Sequence, residues 1–155
     1  MVDVRVVTTE EAYEDALAVR YRVFVDEQGV DPDLEVDDHE EGATHFVAYE
    51  DGQPVGVARL RAYDPGEYEG PASVEYEKPV AKVERMAVLR AHRKQGIGRA
   101  ILESVEERAR ERGFDRARLH AQIRSSGFYE TLGYERVGEA FEEAGIPHVA
   151  MEKAL

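Results

Sequence analysis

The chain has 155 residues, no cysteine and a formal net charge of −13 at pH 7. This length suits one domain with a sizeable core, and the absence of cysteine excludes disulfides and thiolate zinc sites. Without a membrane-length apolar run or the charge pattern of a signal peptide, the sequence predicts a soluble cytoplasmic protein. A pI near 4.8 argues against nucleic acid as a general partner.

The acidity leads to a hypothesis about the source of the protein. Aspartate and glutamate total 33 residues, and arginine is preferred to lysine, which occurs only at Lys78, Lys82, Lys94 and Lys153. High acidic charge of this kind suits a cell with high internal salt, where charge repulsion is screened. Unfolding in dilute buffer would support this hypothesis, whereas full stability there would count against it.

The N-terminal half is predicted as a strand, a helix, an acidic loop and a hairpin. Alternating apolar residues indicate a strand over 2–7, after which Thr9 can cap a helix over 10–27. Residues 29–42 form a strongly acidic predicted loop. The pattern then predicts two strands over 44–50 and 55–63, an Asp51-Gly52 turn between them, and a Pro/Gly/Glu-rich loop over 64–79.

The second half continues as alternating strands and helices. The pattern predicts a strand over 83–88, a basic turn, and a helix that begins near residue 97 and ends at Gly113. The remaining predicted elements are a strand over 116–122, a short helix over 125–132 and an antiparallel pair over 134–137 and 148–152. Antiparallel strands followed by a strand-turn-helix-strand unit indicate an α/β sheet of mixed direction.

Residues 82–102 reverse the acidic character of the chain. Glu84 is their single acid, against six cations: Lys82, Arg85, Arg90, Arg93, Lys94 and Arg99. Glycine at 96 and 98 permits close approach to the first, unpaired N–H groups of the following helix, where partial positive charge favours an anion. The spacing matches neither a dinucleotide fingerprint nor a Walker loop. An anion site and a plain basic helix cap both remain compatible with the turn.

Two motifs in order resemble the GCN5-related N-acetyltransferase (GNAT) family. Val88-x4-Arg93-x2-Gly96-x-Gly98 resembles its acyl-CoA pyrophosphate motif, and residues 128–134 (FYETLGY) resemble its helix-four tyrosine motif. The resemblance covers nearly the whole chain. Further segments are similar to the ElaA-like branch, whose natural acceptors are poorly defined: Arg20-x2-Val23-Phe24-Val25-x-Glu27-Gln28, His45, Ala121-Gln122 and Glu142-Glu143-x-Gly145-Ile146-Pro147-His148.

The resemblance implies a single GNAT domain over 1–155, with a mixed, mostly antiparallel sheet splayed at its central strands and flanked by helices. It also implies acetyl-CoA as acyl donor, and the scattered histidines of the chain predict no metal. The pyrophosphate would lie on the backbone of the turn, the pantetheine arm would pair with the preceding strand, and a backbone N–H near Val88 would polarise the thioester. The implied cofactor-binding residues are Met86, Ala87, Val88, Arg93, Lys94, Gln95, Gly96, Ile97, Gly98, Arg99 and Gln122, the last where many members carry asparagine.

For catalysis, the resemblance implies Tyr129 as the general acid that protonates the CoA thiolate. The general base stays unassigned, because a surface or backbone-bonded role is open for each candidate and a water chain could serve instead. Strict alternation would place Glu84 on one face with Met86 and Val88. The residues expected to line the acceptor cleft are Phe24, Glu27, His45, Glu84, His120 and His148.

The sequence therefore predicts direct transfer of an acetyl group from acetyl-CoA to a primary amine on a small molecule or peptide. There is no Gly-x-Ser-x-Gly elbow and no thiol to form an acyl-enzyme, and the histidines lack metal spacing. The acidic loop either attracts a cationic amine or is a solvated surface run. Alternatives are a non-catalytic acyl-CoA-binding module and an acyl-homoserine-lactone synthase; no membrane partner is expected, and a homodimer stays open.

Overall fold

The computed structural model describes residues 2–63 and 79–155, so the loop predicted over 64–79 lies outside the described residues except for its last position. The described strands are β1 (Asp3–Val6), β2 (Thr44–Glu50), β3 (Gln53–Tyr63), β4 (Val80–Val88), β5 (Arg116–Gln122), β6 (Glu135–Glu143) and β7 (Ile146–Ala154). They form one sheet in the order β1-β2-β3-β4-β5-β7-β6. β4 and β5 are parallel and the other neighbours antiparallel, which confirms the mixed, mostly antiparallel α/β sheet.

The helices depart from the sequence prediction in two places. Thr9 caps the first helix as predicted, because its Oγ1 accepts a 3.1 Å hydrogen bond from the Ala12 N–H. The helical run does reach Glu27, but its last seven residues form a π-helix. One helical turn also lies inside the predicted acidic loop. The helices are α1 (Glu10–Arg20), the π-helix (Tyr21–Glu27), α2 (Pro32–Glu35), α3 (Ile97–Glu111) and α4 (Ser126–Thr131), with 3₁₀ turns at Arg90–His92 and Ile123–Ser125.

Helices cover both faces of the sheet. On one face, the apolar stripe of α3 packs into the larger core cluster, where Ile101, Leu102 and Val105 are fully buried. Gly56 of β3 permits this close packing, since a Cβ there would lie 2.6 Å from Cδ1 of Ile101. On the other face, α1 and the π-helix form a smaller cluster with β2, β3 and β4.

The central strands separate partway along their length. β4 and β5 are paired from Ala81↔Ala117 to Val83↔Leu119, and the pairing then stops. Beyond it, β4 continues on β3 as far as Val88, whereas β5 continues on β7 as far as Gln122. The facing edges from residues 84 and 120 onward are therefore not paired with each other. We call this opening the β4–β5 cleft.

A β-bulge at Arg85 overturns one sequence prediction. Val57 lies opposite Ala87 and Arg59 opposite Glu84, so β4 carries one extra residue there, and Arg85 has a φ of 54°. The bulge breaks the alternation. Met86 and Val88 pack against the α3-side core, while Glu84 pairs with arginines on the opposite face. The prediction that Glu84 shares their face was wrong.

Several strand bounds also differ from the prediction. β3 and β4 begin two and three residues earlier than the predicted 55 and 83. Of the final pair, predicted over 134–137 and 148–152, β7 is longer at both ends, whereas β6 begins one residue later and ends six residues later. β6 contains an irregularity between Val137 and Phe141, which face Ala150 and His148, and Gly138 within it has a φ of 77°. Beyond the irregularity, the strand places Phe141 and the residues after it beside the His148 end of β7.

Candidate active site

The basic turn forms the N-terminal end of α3. Gly96 caps this helix in a left-handed conformation with a φ of 83°, and Lys94 has a φ of 63°. Both values favour residues that tolerate the left-handed region, which explains the glycine at 96. The first N–H groups of α3 have no partners within the helix and carry partial positive charge. The turn therefore offers backbone donors to an anion.

Most of the six cations of residues 82–102 are neutralised by nearby carboxylates. Five of the six are in ion pairs, and only Lys94 has no ion pair within the described chain. The paired cations are Lys82 with Glu84, Arg85 with Asp37, Arg90 and Arg93 with Glu27, and Arg99 with Glu103. Much of the attraction for an anion must therefore come from the backbone.

Arg93 is the most firmly held of these cations. Its Nε donates to the carbonyl oxygen of Val88 at 2.9 Å, and both terminal nitrogens donate to the Glu27 carboxylate at 2.7 Å. This hydrogen bonding lowers the pKa of Glu27 below its usual value. The contacts join the end of the π-helix to the glycine turn and the end of β4.

Gly98 brings the two sequence motifs together. A Cβ at this position would lie 3.3 Å from Cζ of Phe128 and 3.9 Å from the terminal methyl of Met86. Glycine therefore lets the first turn of α3 pack closely against the ring from α4. Met86, Gly98 and Phe128 lie together on the α3 side of the β4–β5 cleft.

Tyr129 follows Phe128 on α4 and is nearly buried, with 9% of its surface exposed. Its ring makes edge-to-face contacts with Phe128 and Tyr134, at centroid distances of 5.0 and 5.9 Å. Burial raises the pKa of the Tyr129 phenol to about 12. The hydroxyl forms no hydrogen bond to the described residues. The phenol therefore keeps its proton at neutral pH and has that proton free to donate.

Gln122 and Phe24 lie on the other side of the sheet. Gln122 donates from Nε2 to Oε1 of Gln28 at 2.8 Å, and its own Oε1 accepts from Nε of Arg124 at 2.9 Å. The end of β5 is thus connected to the residue that follows the π-helix. Phe24 packs against the smaller core cluster beneath that helix. These contacts bring the branch-like segments on either side of the cleft close together.

The acidic segment is not uniformly solvated. Arg20 and Arg59 are almost fully buried, and they bind three of its carboxylates, Glu35, Asp37 and Glu40, at 2.5–2.9 Å. The interpretation as a solvated surface run is wrong for these three residues, although the neighbouring acids are exposed. Arg85 also pairs with Asp37, so three arginines face the three carboxylates, and these charges are not free to attract a cationic amine.

Glu84 and His45 belong to this same charged network. Burial by itself would raise the pKa of Glu84, but Lys82, Arg59 and Arg61 lower it to about 2, so the carboxylate is a poor proton acceptor at neutral pH. The Nε2 atom of His45 lies 3.0 Å from the carbonyl oxygen of Glu40. His45 is on β2, three strand spacings or about 14 Å from β5. The structure therefore does not place it beside His120.

The other two candidate histidines do meet, through a residue that was not singled out from the sequence. Glu143 Oε1 lies 3.1 Å from His120 Nδ1, and Glu143 Oε2 lies 3.7 Å from His148 Nε2. Phe141 contacts both imidazole rings. Glu143 stands in a branch-like segment, but its position beside His120 depends on the irregular course of β6, which the alternation pattern does not reveal.

Two features are absent from residues 2–63 and 79–155. No group of three or more histidine, aspartate or glutamate side chains there is arranged to hold a metal ion. None of the helices in these ranges is long and apolar enough to cross a membrane.

A sheet split between two parallel strands, with a glycine turn at a helix N-terminus and a buried tyrosine nearby, is the arrangement that the resemblance to acyltransferases implied. Residues 7–155 match the family model for an acetyltransferase (GNAT) domain. The chain is 37% identical over 145 residues to YjcF, an uncharacterized N-acetyltransferase of Bacillus subtilis (93% of this chain, 94% of YjcF). It is 28% identical over 141 residues to the protein ElaA of Escherichia coli (90% and 85%).

A solved structure supports the same assignment. An acyl-CoA N-acyltransferase from Pseudomonas aeruginosa has a TM-score of 0.78 at 28% identity, with 99% of this chain and 100% of that chain covered. The protein belongs to the GNAT family, as its motifs suggested, and is an acyltransferase that uses a CoA donor.

Proposed function

We propose that this protein transfers an acetyl group from acetyl-CoA directly to a primary amine on a small molecule or peptide, with Tyr129 as general acid. The observation that carries this proposal is the β4–β5 cleft, which has a glycine turn at one end and the buried phenol on the same side of the sheet. Family membership supports CoA as the donor. The unengaged hydroxyl of Tyr129 supports the acid role.

The donor fits the chain as follows. The pyrophosphate accepts hydrogen bonds from the backbone of residues 93–98, at the positive end of α3. The amide groups of the pantetheine arm pair with the edge of Met86, Ala87 and Val88 that β5 leaves unpaired. Lys94 and Arg99 lie at this end of the site, where Arg99 would have to exchange its exposed contact with Glu103 for a phosphate. Gln122 faces the arm across the cleft.

The reaction needs one proton donor for the leaving group. The amine nitrogen forms a bond to the acetyl carbon, the bond from that carbon to sulfur breaks, and the electron pair leaves on sulfur. Tyr129 gives its proton to this thiolate and produces the free thiol of CoA. The amine nitrogen loses one proton as the amide forms, and solvent restores the proton of the tyrosine. A correctly placed acid of this kind contributes typically ~10²–10⁴-fold to the rate.

The absence of cysteine makes the proposal simple to test, because a thiol reagent then detects only released CoA. The protein is incubated with acetyl-CoA and a panel of primary amines: spermidine, glucosamine, free lysine and a lysine-containing peptide. We expect acetyl-CoA to raise the melting temperature and an amine to stimulate thiol release. Stabilisation by acetyl-CoA without thiol release for any amine would contradict the enzymatic proposal and favour a non-catalytic acyl-CoA-binding module.

A further inference from the structure

We propose that His120 is the general base of this acyltransferase and that Glu143 is its positioning residue. Nε2 of His120 takes the proton of the attacking amine, while Glu143 fixes the tautomer and the orientation of the ring. The inference deepens the proposed function and rests on it, since it names the group that accepts the proton of the amine.

His120 stands where the central strands separate. It is the first residue of β5 after the last β4–β5 pair, Val83↔Leu119. Side chains alternate along a strand, and Leu119 and Ala121 point into the α3-side core. His120 therefore shares the opposite face with Gln122. It occupies the first position at which β5 leaves β4, on the face of the sheet away from α3 and Tyr129.

The contact with Glu143 determines which nitrogen of the ring carries the proton. Glu143 Oε1 lies 3.1 Å from Nδ1 of His120. A carboxylate only accepts hydrogen bonds, so Nδ1 must be the donor. In the neutral ring the lone pair then belongs to Nε2. The Glu143 side chain is about half exposed, which keeps its negative charge solvated.

Nε2 of His120 is a buried acceptor that lacks a partner. Its accessible surface is below 1 Å², and it forms no hydrogen bond with the described part of the chain. Buried polar groups are nearly always hydrogen-bonded, so such an atom needs an explanation. An acceptor with a fixed lone pair at the opening between two strands is suited to receive a proton from a substrate N–H.

The surrounding charges favour the neutral ring. Burial lowers the pKa of His120; the hydrogen bond to Glu143 opposes this, and Lys82 on β4 and Arg118 on β5 lower the pKa further. His148 on β7 lies at the other carboxylate oxygen of Glu143, and its Nδ1 donates to the carbonyl of Ile146 at 2.6 Å. The net effect leaves His120 as a free base at neutral pH.

The other candidates are less suited to this task. Glu84 has a pKa near 2 because of its three cations, so its affinity for a proton is low. His45 is bonded to a backbone carbonyl and lies on a distant strand. Among these candidates, His120 combines a neutral ring, a free nitrogen and a position at the cleft.

The proton transfers balance. As the amine nitrogen bonds to the acetyl carbon, its proton moves to Nε2 of His120, which becomes an imidazolium stabilised by Glu143. The carbon–sulfur bond breaks, and Tyr129 protonates the sulfur. The imidazolium then loses its proton to solvent and the tyrosinate gains one. The sum is acetyl-CoA plus amine giving amide plus CoA.

The tautomer can be tested without any acceptor. In protein labelled with ¹⁵N at histidine, nitrogen shifts are followed as the pH is varied. We expect His120 to be protonated at Nδ1 and bare at Nε2 at neutral pH, with a pKa below the usual 6.5. A neutral ring protonated at Nε2 would overturn the inference. The His120→Asn variant lacks the signal and serves to assign it.

Kinetics test the base role. With the most active amine of the panel, we expect His120→Asn to lower kcat/KM by ~10²–10⁴-fold and to remove the inflection that His120 adds on the acid side of the pH profile. The replacement amide can still donate to Glu143, which favours correct folding. His39→Asn, at an exposed histidine, is the matched control. A His120→Asn rate within about threefold of wild type, with the same profile, would overturn the inference.

Glu143→Gln separates positioning from a structural role. The carboxylate raises the pKa of His120, so its loss should move the acid-side inflection to lower pH and reduce kcat, with KM for acetyl-CoA unchanged. The neighbouring exposed acid provides the control Glu142→Gln. If the acid-side inflection of the pH profile stayed at the same pH, Glu143 would not be the positioning residue of His120. Should wild type bind acetyl-CoA but release no thiol, the proposed function fails, whereas the nitrogen shifts still decide the His120–Glu143 arrangement.

Discussion

Glu27 and Arg93 are 66 positions apart in the chain and share two hydrogen bonds of 2.7 Å. Glu27 ends the π-helix, and Arg93 begins the glycine turn. Because Nε of Arg93 also donates to the Val88 carbonyl, one guanidinium joins the π-helix, the turn and the end of β4. Bidentate pairing of this type fixes geometry as well as charge. The turn is therefore held in shape before any ligand binds.

We expect Glu27→Gln to weaken CoA binding about tenfold, which corresponds to about 1.4 kcal/mol. The amide cannot supply two charge-assisted hydrogen bonds, so the turn becomes less well ordered. Part of the free energy of CoA binding is then used to order it. Isothermal titration calorimetry with CoA measures the change. Glu111→Gln removes an exposed ion pair at the far end of α3 and should leave the affinity unchanged. Tighter binding by Glu27→Gln would show instead that Glu27 competes with the pyrophosphate for Arg93.

Tyr129→Phe should lower kcat by ~10²–10⁴-fold while the dissociation constant for CoA stays the same. Phenylalanine preserves the edge-to-face contacts of the ring and removes only the proton donor. Turnover is measured by thiol release and affinity by calorimetry. Tyr21→Phe, at a tyrosine that is 52% exposed, is the control. Unchanged turnover with intact CoA binding would exclude Tyr129 as the acid.

Local sequence patterns were sufficient to predict most helices and strands of this fold. The Thr9 cap, the Asp51-Gly52 turn and the stripe of α3 each depend on residues close in sequence, and each appears in the structure. The helix over 10–27 was predicted correctly in extent, but its change to π geometry at Tyr21 was not. Apolar spacing over seven residues does not distinguish the two kinds of helix.

The site depended on contacts that sequence patterns do not contain. The bulge at Arg85 reverses which face Glu84 occupies, and no glycine or proline marks it. The acidic segment looked solvated because Arg20, Arg59 and Arg85, which bind its carboxylates, come from separate elements. Such long-range pairing is decided by the tertiary structure, where a buried charge must find a partner.

Gly56→Ala should destabilise the protein by about 1–3 kcal/mol, because the new methyl group overpacks the interface between β3 and α3. A Cβ would lie 2.6 Å from Cδ1 of Ile101 and 3.2 Å from the carbonyl oxygen of Ala87. Urea unfolding measures the loss. Gly42→Ala is the control, because a Cβ there would meet no atom of the described chain within 4 Å. Equal stability of the two variants would mean that α3 can shift without cost.

The buried carboxylates make the stability of the fold depend on pH. Glu40 and Glu84 have pKa values of about 2, because their cationic partners outweigh the effect of burial, against 4.5 for the ordinary group. A lowered folded-state pKa contributes stability above the unfolded value, and this contribution is lost as the pH falls from about 5 toward 2. Each carboxylate contributes about 3 kcal/mol at most to the free energy of unfolding. Because both bind Arg59, their joint contribution is less than the sum of the two.

The test compares Glu84→Gln with wild type by urea unfolding at several pH values between 7 and 3. At pH 7 the variant should be less stable, since Arg59, Arg61 and Lys82 lose a charged partner. The difference should shrink as the pH falls below about 5, because Glu84 is then protonated in the unfolded wild-type chain while it stays ionised in the folded one. Comparing the two proteins at the same pH cancels most of the general change in net charge. Asp38→Asn, at an exposed acid of the same segment, should show no such trend. A difference for Glu84→Gln that stayed constant down to pH 3 would mean that its charge does not stabilise the fold.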